Sequence, residues 1–461
     1  MDFLESLKPS PTLRPMFNIG CLCDIPTGRY HTGKYGDQIL NGGLAYITGI
    51  CGRGNTYKTV ILFHMFIRVL DRIQQSKGFA YDTEMSLVVE RLRELAVHCL
   101  NSLLGFNFED NNRIGFTDKT VYNGTEIFEW IKTTTANRNT KNNFGKTPFL
   151  TRDKAFMDCL IPFIIAIDSL SLFSAANVMK IQDDGGIGES NRNIEAMRDA
   201  NAKTQMLMEL PTMTARNGLY VLMSAHMGDD LALDPYAPPQ KKLAFLRNKL
   251  KFKNVPEKFT FLVNNCWHAF NSETLINQST KAPEFPRNSD DDLRGDTDLQ
   301  LVRLMNLRSK SGPTGLPFEL IVSQSDGVHV GLTEFNYIRG FNRFGLGGND
   351  RSYFVELCPD IPLQRTTVRG KIDANPKLQR ALEITSELAQ ITNLWHDTPK
   401  EKLCTPKQLY DDIKAKGYDW DELLQTRGWW CFDDYEQPIH RLTTMDLLNM
   451  RVGEYTPYWK Q

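Results

Sequence analysis

The chain has 461 residues, too many for one ordinary compact core, so two domains with room for an inserted element are expected. It is 41% hydrophobic and 24% charged, and no run of about 18 consecutive apolar residues occurs, which argues against a spanning helix. A formal net charge of −1 excludes a globally basic nucleic-acid binder and leaves any polyanion surface to a local patch.

The opening MDFLESLKPSPTLRPMF lacks the basic start and long apolar segment of a secretory signal, so the chain reads as cytoplasmic, with no membrane partner. Nine irregularly spaced cysteines make a poor disulfide framework, and Cys21 and Cys23 stand too close for a C-x-x-C metal knuckle. They read as reduced, structural residues.

From residue 44 onward apolar runs alternate with helical periodicity, the pattern of an α/β domain with a mainly parallel central sheet. LAYITGI (44–50) is a buried-strand run, followed by the turn GRGNTYKT (52–59) and the apolar helix KTVILFHMFIRVLDRI. GFAYD (78–82) is a second strand, after which Val88, Leu92, Leu95 and Cys99 recur at helical spacing. RIGFTD (113–118) is a third strand with GTEIFEWIK as its helix, and 134–154 is polar enough to be loop.

PFIIAID (162–168) is a short, β-branched central strand ending in a carboxylate. A polar loop (174–190), a long helix near 191–216 and the strand LYVLMSAH (219–226) follow. A basic, proline-containing loop leads to FTFLVNNCW, read as a strand, then to the acidic loop 288–298 and the hairpin LVRLMNLRSKSGPTGLPFELIVSQSDGVHVG. The expected division is an N-terminal segment (1–40) with a protomer–protomer role, a core (41–345) with an insertion near 269–300, and a smaller, mostly helical C-terminal domain (346–461). In that last part Thr405 and Pro406 mark a helix start, while Trp429 and Trp430 suit either a core or base stacking.

GRGNTYKT is close to the phosphate-loop pattern G-x-x-x-x-G-K-[ST], with Tyr57 where the second glycine belongs. Backbone N–H groups of Gly52, Arg53, Gly54, Asn55, Thr56 and Tyr57 would cradle phosphates, Lys58 would reach the β/γ oxygens, and Thr59 would hold Mg²⁺. Tyrosine fits there if its backbone is helical. Asp168, at the carboxyl end of a central strand, is placed for the Mg²⁺ shell. Glu84 is the candidate general base, with Asp82 as the alternative, and His226 ends a strand where a γ-phosphate would lie. Arg308 and Lys310 could reach a neighbouring subunit's phosphate. Lys241, Lys242, Arg247, Lys249, Lys251 and Lys253, interleaved with Phe245 and Phe252, suit either a DNA backbone with stacked bases or a solvated basic helix face.

In this order the motifs resemble the RecA-like strand-exchange ATPases, and most closely the bacteriophage UvsX-type recombinases, over roughly residues 15–345. UvsX-type phosphate loops also carry an aromatic residue before the lysine, as Tyr57 does; YDTE is similar to that family's strand-two motif and AIDSLSLF to its Mg²⁺-site strand. DIPTG (24–28) looks like the segment that precedes the core in RecA-like proteins. The resemblance implies a P-loop ATPase core that binds ATP and Mg²⁺, with Glu84 catalytic, Asp168 on the metal and His226 sensing nucleotide. It further implies Arg308 and Lys310 acting in trans, and the loops after Asp168 and His226 binding DNA. The expected partners are single-stranded DNA, duplex DNA during exchange, further copies of the chain, and a single-strand-binding or mediator protein. Asp229 and Asp230 depart from the family's glycine-rich second DNA loop and would repel phosphates. A DnaB-type hexameric helicase is the alternative, since EMS and SKSGPTG are similar to helicase motifs, and an ATP-binding structural filament or loading protein is a third.

Overall fold

The apolar runs of the first 345 residues build one ten-stranded sheet. The computed structural model describes residues 14–85, 89–97, 113–138, 140–174, 192–230, 243–246, 250–287, 296–349, 351–395 and 397–461. In chain order the first elements are β1 (Tyr30–Thr32), β2 (Gln38–Leu40), β3 (Ile47–Gly52), helix α1 (Lys58–Arg72), β4 (Lys77–Asp82), α2 (Val89–Leu95), β5 (Ile114–Asp118) and α3 (Gly124–Ala136). A hairpin of β6 (Phe144–Leu150) and β7 (Phe156–Leu160) precedes β8 (Phe163–Asp168), α4 (Arg192–Asn217), β9 (Leu219–Asp229) and β10 (Leu250–Phe252). Then come α5 (Lys258–Leu262), β11 (Asn265–Thr274), β12 (Leu299–Ser309), β13 (Pro317–Ser323), β14 (Gly327–Val328) and α6 (Val330–Gly340).

The strand order is β14-β13-β12-β11-β3-β9-β8-β4-β5, with β10 added to β9. β11, β3, β9, β8, β4 and β5 run parallel, and β12 to β14 extend the sheet antiparallel. Helices cover both faces, so the central strands are apolar throughout. On β3, Ile50 joins the cluster under α1, while Ile47 and Cys51 join the cluster under α4. The fold class is therefore α/β with a large, mostly parallel central sheet.

The remaining chain opens with an antiparallel sheet of β15 (Leu346–Asn349), β16 (Ser352–Val355) and β17 (Cys358–Leu363). Helices α7 (Val368–Ala374), α8 (Pro376–Leu394), α9 (Pro406–Ala415), α10 (Trp420–Leu423) and α11 (Thr444–Val452) follow. Their core is centred on α8 and takes in Leu299, Ile321, Leu332 and Phe335 from the first part. In return Trp430 and Phe432 pack on Phe17, and Trp430 on Phe149. Arg441, fully buried, pairs with Asp37 and, at 2.5 Å, with Asp434, and donates to the Gln38 carbonyl at 2.8 Å.

Three local expectations differ. FTFLVNNCW is not one strand: Lys258–Leu262 is helical and the strand begins at Asn265. Residues 144–150 are strand rather than loop, because Phe149 gains a partner in Trp430, far off in sequence. The insertion near 269–300 begins only after Thr274, since β11 pairs with β12 as far as Thr274. Among the described residues no helix is long and apolar enough to cross a membrane, and the cysteines are free thiols.

Candidate nucleotide site

The carboxyl ends of β3, β4, β8 and β9 lie side by side: Gly52 pairs with His226, and Asp82 with Asp168. The turn after β3 delivers Lys58 and Thr59 as the first residues of α1. Thr59 Oγ1 donates to Asp168 Oδ2 at 2.6 Å, and Ser224 Oγ donates to the other oxygen. The Lys58 ammonium donates to the Arg53 carbonyl at 2.7 Å, and Thr56 Oγ1 donates to the same carbonyl at 2.9 Å.

Tyr57 does not take the helical backbone expected of it. Its φ of 58° and ψ of 26° are left-handed, the conformation the missing glycine would adopt freely. For an L-residue this costs about 1–2 kcal/mol. The ring packs against the cluster under α1, an apolar contact that offsets part of that cost. Gly52 is fixed by space, because a Cβ there would lie 2.5 Å from the Ala269 carbonyl and from Thr56 Oγ1. A Cβ at Gly54 would meet nothing within 4 Å, so the loop is closed at its base and open at its tip.

Glu84 and His226 meet, with His226 Nε2 and Glu84 Oε1 2.6 Å apart. The Asp82 carboxylate accepts from the Glu84 amide at 2.8 Å, so it shapes the turn and leaves Glu84 as the carboxylate facing the cleft. Thr83 Oγ1 accepts from the Ser169 amide at 2.7 Å and donates to the Ser169 carbonyl at 2.9 Å, locking β4 to β8; the Asp168–Ser169 peptide is cis. The His226 amide donates to Ser171 Oγ at 2.8 Å.

The charges respond to these surroundings. The His226 hydrogen bond holds the Glu84 carboxyl below its ordinary pKa against the opposing effect of burial. Burial pushes Asp168 up, resisted by the Ser224 and Thr59 hydroxyls. Burial lowers Lys58, resisted by Asp168 and Glu84. A hydroxyl and a carboxylate are hard oxygen donors that suit Mg²⁺ alongside waters and phosphate oxygens. The open tip at Gly54 and the buried ammonium of Lys58 suit a polyphosphate. The donor set therefore fits a polyphosphate with Mg²⁺.

Arg308 and Lys310 are not part of this constellation within one chain. Ser309 pairs with Asn265, which pairs with Thr48 near the start of β3, roughly 13 Å along the strand from Gly52. Arg308 donates to the carbonyls of Val263 (3.1 Å) and Phe261 (3.2 Å) at the end of α5. Of the basic loop, Lys241, Lys242, Arg247 and Lys249 lie outside the described residues, as do 175–190 of the loop after Asp168. Lys251 is 3.4 Å from Asp230, and Asp229 pairs with Arg53, so these carboxylates neutralise cations of their own pole. The Lys253 amide donates to the His226 carbonyl at 2.9 Å. Phe245 is exposed, and Phe252 packs on Phe259 with ring centroids 5.5 Å apart.

Sequence reasoning missed Ser224 and Thr83. Ser224 carries a usable signal, since residues two apart on a strand share a face and it stands two before His226. A scan against protein-family models finds no match to this chain, and a search of curated proteins finds no relative.

Proposed function

We propose that this chain is an ATP-dependent DNA strand-exchange protein with a RecA-like P-loop ATPase core, working as an oligomer on single-stranded DNA. The observation that carries the reading is the convergence of Lys58, Thr59, Asp168, Glu84 and His226 on one end of the parallel sheet, with Glu84 held by His226 at 2.6 Å. When bound, ATP with Mg²⁺ supplies the phosphoanhydride bond and the neutralising cation. Lys58 and the loop amides bind the phosphates, and Thr59 and Asp168 hold the metal's ligand shell. Glu84 takes the proton of the attacking water, and His226 competes for the same carboxylate oxygen. Arg308 and Lys310, at the far end of their own sheet, act on the next protomer's nucleotide. Such head-to-tail contact builds a helical filament, or a ring if the rotation closes.

Steady-state ATP turnover, with and without single-stranded DNA, tests this. Lys58→Ala should abolish hydrolysis, and Glu84→Gln should bind ATP yet lose turnover by about 10²-fold or more. Normal turnover in Glu84→Gln would remove Glu84 from the mechanism. Electron micrographs with ATP and single-stranded DNA should show extended filaments. Closed six-membered rings on a forked substrate would replace this reading with a hexameric helicase, and binding without hydrolysis in the wild type would leave an ATP-binding structural filament.

A further inference from the structure

A trench of about 1030 Å³ opens at the amino-terminal pole of the parallel strands, opposite Lys58, where Tyr46 and Asn264 precede β3 and β11. Four exposed cations line it: Arg14, Arg29, Arg152 and Lys310. They come from four separate places. Arg14 lies in the segment before β1, Arg29 enters β1, Arg152 sits in the β6–β7 turn and Lys310 follows β12.

Each is presented by anchored backbone. The Arg14 carbonyl accepts from Asn41 Nδ2 at 2.9 Å, and the Arg29 carbonyl from the Asn41 amide at 2.9 Å. The Lys310 amide donates to the Asn264 carbonyl at 2.9 Å, and the Arg152 turn is closed by Thr151 and Ala155 at 2.8 Å. Among the described residues, none of the four cationic side chains makes an ion pair or a hydrogen bond; Asp153 and Asp158 share the lining and leave it a net two positive charges. At the other pole, by contrast, Arg53 and Lys251 are already matched by Asp229 and Asp230.

The trench also carries a buried histidine nitrogen, His31 Nε2, with no hydrogen-bond partner among the described residues. Burial and the Arg29 charge lower the His31 pKa, and burial with Arg308 and Arg14 lowers that of Lys310. Tyr46, stacked on Tyr220 with ring centroids 4.7 Å apart, and Phe156, 5.4 Å from the Tyr435 ring, are both partly exposed residues of the lining. Cations brought from separate segments, with two rings in the same lining, match a phosphodiester chain with its bases more than one compact anion.

We propose that this amino-pole trench is a binding site for single-stranded nucleic acid, with Arg14, Arg29 and Arg152 on the phosphates and Tyr46 and Phe156 against bases. The site takes the identity of the polyanion from the function proposed above, but it requires no nucleotide at Lys58. The test is fluorescence anisotropy of a labelled oligothymidylate on the full chain without ATP, at about 50 and about 200 mM salt. The double variant Arg29→Glu/Arg152→Glu should weaken binding about tenfold or more and reduce the slope of log affinity against log salt by about 0.7 for each phosphate no longer neutralised. It should keep the wild-type melting temperature, which separates weakened binding from impaired folding, and Lys400→Glu, an exposed charge far along the chain, should bind as wild type. Wild-type affinity in the double variant overturns the proposal. Displacement of the strand by tripolyphosphate at equal phosphate concentration would also overturn it, in favour of a small-polyphosphate site. Because nucleotide is omitted, a wild type that hydrolyses no ATP but binds DNA through these arginines would refute the ATPase reading alone.

Discussion

Glu84 and His226 show how one hydrogen bond sets the working range of a carboxylate. The imidazole donates to the oxygen that would receive a water's proton, and this contact is the largest influence lowering the Glu84 pKa. Removing it by His226→Ala should raise that pKa, so the acid limb of the turnover–pH profile should move to higher pH. An acid limb that stays in place would take His226 out of contact with catalysis. The residue types of this site were legible in the sequence because a glycine-rich turn, a lysine and strand-end carboxylates need only local context. The backbone of Tyr57 was not, since its left-handed conformation is imposed by the closed base at Gly52 and the packing of its ring. The distance of Arg308 from Lys58 within one chain follows from the direction of β12 against β11.

At the scale of elements, strands and helices with their own punctuation were readable, and those shaped by distant partners were not. α9 begins as its sequence directs: Thr405 Oγ1 accepts from the Gln408 amide at 3.2 Å, and Gln408 Oε1 accepts from the Thr405 amide at 3.0 Å. Thr405→Ala should cost about 1 kcal/mol in urea unfolding, from the loss of one cap. A cost near zero would mean that water replaces the cap fully. The β6–β7 hairpin is the opposite case. Its residues alternate weakly, and what makes them strand is Phe149 packed on Trp430. The Trp429–Trp430 pair, ambiguous in sequence, is resolved the same way: Trp430 is buried in the core, and Trp429 lies under the Arg72 guanidinium, 3.8 Å from the ring centroid.

For the molecule as a whole, the boundary between its two parts carries buried charge beside its apolar contacts. A cavity of about 690 Å³ there is lined by Asp24, Arg72, Glu334, Arg380, Glu383 and Glu387, among others. Burial raises the Glu387 carboxyl to about 8, reinforced by Glu383, and raises Asp24 to about 6; in the clasp around Arg441, burial raises Asp446 to about 7. A carboxyl whose folded pKa is raised binds its proton more tightly when folded. Its contribution to stability is therefore complete below the unfolded value and is lost as pH rises through the folded one. Between about pH 5 and 8 these groups make the chain less stable as pH rises, whereas Asp298, lowered to about 2, contributes unchanged across that window. Glu387→Gln should flatten the fall in melting temperature over this range; a slope equal to wild type would assign the dependence to other groups. The clasp has a temporal consequence too. Phe17 and Phe149 get their cover from Trp430, and Asp37 gets its charge partner from Arg441, so an emerging chain cannot finish its first part until its last helices are made. Translation that halts before residue 430 would release a nearly complete sheet with an uncovered aromatic face, a natural substrate for chaperones and proteases rather than a smaller working protein.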